Sequence, residues 1–232
     1  ENSGATAIGA VTKVIIGQVR AVGGSASSVD GNSWGGDATA GGLVGYGSIE
    51  SIGNSNSSAI VYATGGAANS VNSNSYGGDA YAGGLAGDIG KYGENGIITG
   101  SSATGNVTSK AGVAGGNYGS SGIATAGGLV GYNDGVDIND SFATGNVKGS
   151  VNVGGLVGYN RGNEEGLGSP GQSMGGANIT NSYATGTVTG MANVGGLVGY
   201  GKYGSIETSY ATGAVKGIEA VGGLVGGSKY SS

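Results

Sequence analysis

Six copies of a five-residue box, GGLxG, punctuate the chain at Gly41–Gly45, Gly83–Gly87, Gly127–Gly131, Gly154–Gly158, Gly195–Gly199 and Gly222–Gly226. Six of the seven leucines are the central residues of these boxes: Leu43, Leu85, Leu129, Leu156, Leu197 and Leu224. A recurrence this strict at one slot points to stacked units that share one core, because a lone unit of this kind has too little apolar surface to bury. A second box, xATG, stands at Tyr62–Gly65, Ser102–Gly105, Phe142–Gly145, Tyr183–Gly186 and Tyr210–Gly213. VIIGQV (Val14–Val19) reads as its degenerate sixth copy, with the glycine and final valine matched.

The spacings set the unit. The step from box to leucine is 14 residues at Phe142–Leu156, Tyr183–Leu197 and Tyr210–Leu224, and the step from leucine to box is 13 at Leu129–Phe142 and Leu197–Tyr210. The minimal repeat is therefore 27 residues. Aligned on these boxes, the first three repeats gain 15, 9 and 13 residues after xATG, while 6, 4 and 14 residues are inserted after Leu43, Leu85 and Leu156. Insertions confined to fixed points behave as loops on a stacked array.

Composition decides between helix and strand. With 58 glycines in 232 residues, a helix would lose about 1 kcal/mol at every Gly relative to Ala. The runs between turn residues are short and rich in β-branched and aromatic side chains, as in SYATGTV (Ser182–Val188), which is the pattern of strands. The expected fold is all-β: a single parallel β-solenoid spanning 1–232, with about six coils, the first over about 11–45 and the last over about 209–226. Coils stacked about 4.8 Å apart satisfy every backbone group and need only a thin core. Period-two alternation in YATGxV places Ala, Gly and Val inside, leaving Thr64, Thr104, Thr144, Thr185 and Thr212 as an outward ladder.

Function classes narrow by what is missing. The chain holds no His and no Cys, so imidazole or thiolate metal sites, Cys nucleophiles and His-based triads are excluded. The net charge of −5, from scattered single charges, gives no footprint for nucleic acid, and no apolar run is long enough for membrane insertion. No cofactor and no enzymatic activity are expected.

GGLVGYN (Gly154–Asn160), with SYATGTV and VGGLVGY from Ser182 onward, resembles the GLUG motif. Such repeats occur in large bacterial surface proteins, including adhesins and zinc peptidases that cleave immunoglobulin A. The resemblance implies a secreted, extracellular or cell-surface module that extends or presents. The peptidase activity is not implied, since its HExxH motif needs histidine.

Several residues carry sharper expectations. Trp34, Tyr76 and Tyr118 stand 42 residues apart, as an aromatic strip that either covers its own loops, contacts a neighbouring subunit or holds glycans. Asp134, Asp137 and Asp140 are candidate calcium ligands, with solvated turns as the plainer account. Glu164 and Glu165 are expected in a soluble loop, with a carboxylate pair for acid/base hydrolysis as the lesser reading. The apolar stretch around Val14, Ile15, Ile16 and Val19 and the final coil at Leu224 and Val225 are complementary open faces with no evident cap. They are expected to join copies of the chain head to tail into a filament. An adhesin stalk that contacts host proteins or surface glycans is the alternative, and an ice- or glycan-binding threonine face a minor one.

Overall fold

The computed structural model describes residues 6–8, 17–90, 96–162 and 176–229. Every regular element among them is a β-strand, and all strand pairings are parallel. The chain winds as a β-solenoid of six coils, and five parallel ladders run the length of the stack. In the fourth coil, ladder A holds Val136–Asn139, B Phe142–Ala143, C Val147–Lys148, D Val151–Gly154 and E Val157–Arg161. Pairing extends beyond the expected coil limits: Thr6–Ile8 joins ladder A, and the last strand is Val225–Lys229.

The GGL box makes the corner from ladder D to ladder E. Each leucine carbonyl from Leu85 onward accepts two N–H groups from the coil below: Leu129 O receives Leu85 N at 2.9 Å and Ala86 N at 3.0 Å. Close stacking at this corner demands glycine. A Cβ on Gly84, Gly128, Gly155 or Gly196 would lie 2.0–2.2 Å from a carbonyl oxygen of the next coil. The leucines of the four inner coils, Leu85, Leu129, Leu156 and Leu197, are fully buried, as expected of a core ladder. Leu43 is half-buried and Leu224 is 39% exposed, because these two stand in the first and last coils.

Two apolar columns share the interior. One combines the leucines with isoleucines of ladder A and the alanines of ladder B; the other fills ladders C and D with Ala and Val. Faces fall as the alternation predicts: Ala103, Ala143 and Ala184 are buried, while Thr104, Thr144, Thr185 and Thr212 are exposed.

One alignment is corrected. Tyr62–Gly65 is not an equivalent of the other xATG boxes. Tyr62 pairs with Thr108, whereas Ser102 and Ala103 pair with Asn56 and Ser57. The true second-coil box is NSSAIV (Asn56–Val61), in which Ser and Ala stand for Ala and Gly. Thr64, opposite Lys110, therefore lies outside the threonine column. Leu43 to Asn56 is then 13 residues, and the insertion assigned after Leu43 disappears into the longer one that follows the box. The degenerate VIIGQV copy is in register, since Val19 pairs with Val61.

The insertions after the boxes of coils one to three are strands as well. Ala26–Ser28, Ala68–Ser70 and Ala114–Gly115 form one three-stranded parallel sheet. Ser33–Trp34, Asn74–Tyr76 and Tyr118–Ser120 form a second. Together they make a lateral fin. At its neck one zigzag of hydrogen bonds crosses between outgoing and returning chains: Gly36 N to Gly24 O, Gly66 N to Gly36 O, Gly78 N to Gly66 O, Gly112 N to Gly78 O and Gly122 N to Gly112 O, at 2.8–3.1 Å. A Cβ on Gly66, Gly78, Gly112 or Gly122 would fall 1.9–2.1 Å from a carbonyl oxygen, so the neck is closed to any larger residue.

Candidate functional site

Three surfaces stand apart from the repetitive body: the last coil, the fin and a notch in a column of tyrosines. In the last coil the residues that inner coils bury come to the surface. Val221 is 46% exposed where Val194 is fully buried, and Leu224 is 39% exposed where Leu197 is fully buried. Ile206, Ala211, Val215 and Val225 are likewise only partly covered, against fully buried Ile179, Ala184, Val188 and Val198. Gly223, the sixth of the corner glycines, has nothing within 4 Å of its Cβ position. Among the described residues no seventh layer covers this face. At the opposite end, Val19, Leu43 and Val44 are partly buried. Of the expected interface residues, Val14, Ile15 and Ile16 lie outside the described residues, whereas Val19, Leu224 and Val225 sit at the two ends of the stack.

The fin brings together only part of the expected aromatic strip. Trp34 and Tyr76 are in register and stack at 6.0 Å with an interplanar angle of 13°. Tyr118 pairs instead with Asn74, and Tyr76 faces Ser120. The cause is length. The four residues added after Leu85, less the two by which the third insertion is shorter than the second, make the in-register step 44 here, so a 42-residue step lands two positions early. All three rings are exposed. Asp37 and Asp79 do stack: Asp37 Oδ1 accepts the Asp79 N–H, and Asp79 Oδ1 accepts that of Ile123, both at 2.7 Å.

The acidic candidates separate. Asp134 pairs with Arg161 at 3.5 Å, and Asp137 Oδ1 accepts the Asn178 N–H at 2.8 Å. Asp140 is a corner residue with φ of +49°. Among the described residues no group of three or more acidic side chains could hold a metal ion. Glu164 and Glu165 lie outside the described residues.

The notch arises in ladder E. One outward position there runs Tyr46, Asp88, Tyr132, Tyr159, Tyr200 and Gly227 in adjacent coils. Tyr132, Tyr159 and Tyr200 form a continuous stack with ring centroids 5.0 and 5.4 Å apart. Asp88 interrupts the column and leaves a cavity of about 290 Å³, bordered by Tyr46, Tyr81, Tyr132, Ser48 and Asp134. Tyr81 reaches over from ladder D, meets Tyr132 edge-on at 5.8 Å, and donates its hydroxyl to Asp79 at 3.1 Å. Burial, and after it the charge of Asp134, push Asp88 up to about 6. Burial, and then the carboxylates of Asp79, Asp88 and Asp37, raise Tyr81 well above an ordinary phenol. The notch escapes box-based reading because its signal is a single exception, Asp88 standing where the repeat has tyrosine.

A polar ladder also lay unread. Ser55, Ser101, Ser141, Ser182 and Ser209 stand immediately before the B strands, and each Oγ from Ser101 onward accepts the N–H of the serine one coil below at 3.0–3.1 Å. Each follows a left-handed corner residue, namely Asn54, Gly100, Asp140, Asn181 or Thr208. The signal was available as a recurring Asn-Ser or Asp-Ser ahead of the box.

Residues 149–189, which include the insertion after Leu156, and 192–216 match the family model of the GLUG motif. Residues 149–216 carry GLUG repeats. Each matched stretch begins at or just before ladder D, passes the D–E corner and ends in ladder C of the next coil, so one motif spans about one turn of the solenoid. Neither a curated protein nor a solved structure matches the chain.

Proposed function

We propose that this GLUG-repeat solenoid is a non-enzymatic structural protein of the cell surface or extracellular matrix that extends by stacking copies head to tail. The observation that carries this reading is the last coil. Its partly covered Ile206 and Val215 and its exposed Val221 and Leu224 occupy positions that are buried wherever a coil lies on each side. An incompletely covered core beside open strand edges favours addition of a further parallel layer. The contact is heterologous, so its product is a rod that grows rather than a closed ring. The extracellular setting rests on the GLUG resemblance, and the structural role on a chain without histidine or cysteine.

Sedimentation velocity across micromolar to millimolar concentrations, with electron microscopy of the same samples, tests the proposal. Rods that lengthen with concentration are expected, and a monomer throughout the range overturns it. The fin, with exposed Trp34, Tyr76 and Tyr118, favours a second reading in which the solenoid is a stalk that presents a lateral surface to host proteins or glycans.

A further inference from the structure

The tyrosine column of ladder E is broken at one coil only between Tyr46 and Tyr200, and the break is built from charge. Tyr46 and Tyr132 flank Asp88 in successive coils. Their backbones are therefore about 9.6 Å apart, twice the ordinary strand spacing, with a short side chain in place of a ring between them. The space left is what one planar group would fill. Its walls include the rings of Tyr46, Tyr81 and Tyr132, whose faces carry negative quadrupoles. Its base holds Asp88, with Asp134 beside it, and Ser48 adds a hydroxyl at the rim.

We propose that this notch binds an organic cation, with a planar guanidinium head such as that of an arginine side chain as the best fit. A neutral ring would gain the stacking but leave the charge of ionised Asp88 uncompensated. A guanidinium gains both, since it stacks on tyrosine and presents a fork of donors to carboxylate oxygens. Arg161 is not among the residues that border the notch: it lies one coil further on, where it pairs with Asp134 and hydrogen-bonds Tyr132. The inference is independent of end-to-end assembly, because the notch is on the side of coils one to three.

Protonation of Asp88 links binding to pH. The groups facing it are Tyr46, Tyr81, Tyr132 and Asp134, with Arg161 against both Asp134 and Tyr132. A cation favours the ionised carboxylate, so affinity rises as pH increases through about 6 and weakens below it.

The test uses the whole chain with its tyrosines labelled with carbon-13, titrated by ethylguanidinium chloride at constant ionic strength. Methyl glucoside serves as the neutral probe. Saturable shifts of the Tyr46 and Tyr132 ring signals are expected at millimolar concentration, with Tyr210 on ladder B unmoved. Asp88→Asn should weaken binding about tenfold, and Asp88→Tyr, which completes the column, should abolish it. Non-saturable shifts, equal affinity for methyl glucoside, or an unchanged affinity in Asp88→Asn each overturn the proposal. Should Asp88→Tyr fail to fold, the Asp88→Asn comparison still decides.

Discussion

Two side chains show how a single residue is used in this stack. Ser141 is fully buried, and its Oγ accepts the Ser101 N–H at 3.1 Å while donating to Asn139 O at 2.7 Å. Ser141→Ala leaves a buried N–H without its acceptor, which costs about 1–3 kcal/mol. Urea denaturation should show that loss at unchanged far-ultraviolet circular dichroism. Asp88 works in the opposite sense. Its folded-state value of about 6 lies above the 3.8 of an ordinary aspartate, so the folded chain holds a proton that the unfolded chain releases between those values. Stability therefore falls as pH rises from about 4 to about 6 and stays lower above that window. Asp88→Asn should raise stability at pH 7.5 by about 1 kcal/mol, after solvent screening of a partly exposed group is allowed for. It should give no gain at pH 4, a difference that paired urea titrations will reveal.

At the scale of one coil, energetics depend on position in the stack. Leu156 is fully buried between coils, and Leu156→Ala should cost about 2–5 kcal/mol through lost burial and a cavity. Leu224 holds the same slot in the last coil but is 39% exposed, so Leu224→Ala should cost the isolated chain well under half as much. Thermal melts of the two variants at low concentration compare them directly. The coil boundaries were legible wherever the box kept its letters, as at Phe142, Tyr183 and Tyr210. They failed at the second coil because NSSAIV preserves the sizes and faces of the box but not its identities, while YATG at Tyr62 preserves identities in the wrong register. The pairing was decided by which side chains fit the interior, and Ser57 fits the slot of Ala103.

Across the whole molecule, the corner glycines separate folding from assembly. Gly155 sits where a Cβ would lie 2.0 Å from Gly196 O, so Gly155→Ala should destabilise the monomer severely. Gly223 has open space, so Gly223→Val should leave the isolated chain folded with an unchanged melting temperature. In a head-to-tail stack the same valine would meet the next copy's backbone at the distance that excludes it in the inner coils. Gly223→Val should therefore abolish rods in the electron microscope while sedimenting as a folded monomer. Full-length rods from this variant would remove the end face from the contact. The fin belongs to this scale too: its neck exists only because neighbouring coils place their glycines close enough to exchange hydrogen bonds.

The repeat, the all-β solenoid, the inward leucine and alanine columns and the outward threonines are legible from the residues alone, because each is a periodicity that neighbouring coils must share. The second coil's register, the shift of Tyr118 away from Tyr76, the strands of the fin and the notch at Asp88 emerge only in the folded stack. Those features depend on insertion lengths and on what lies one coil away, some 27–46 residues distant in the chain. A repeat alignment counts letters, whereas stacking compares shapes across a gap of about 4.8 Å, and where the two disagree the packed interior prevails.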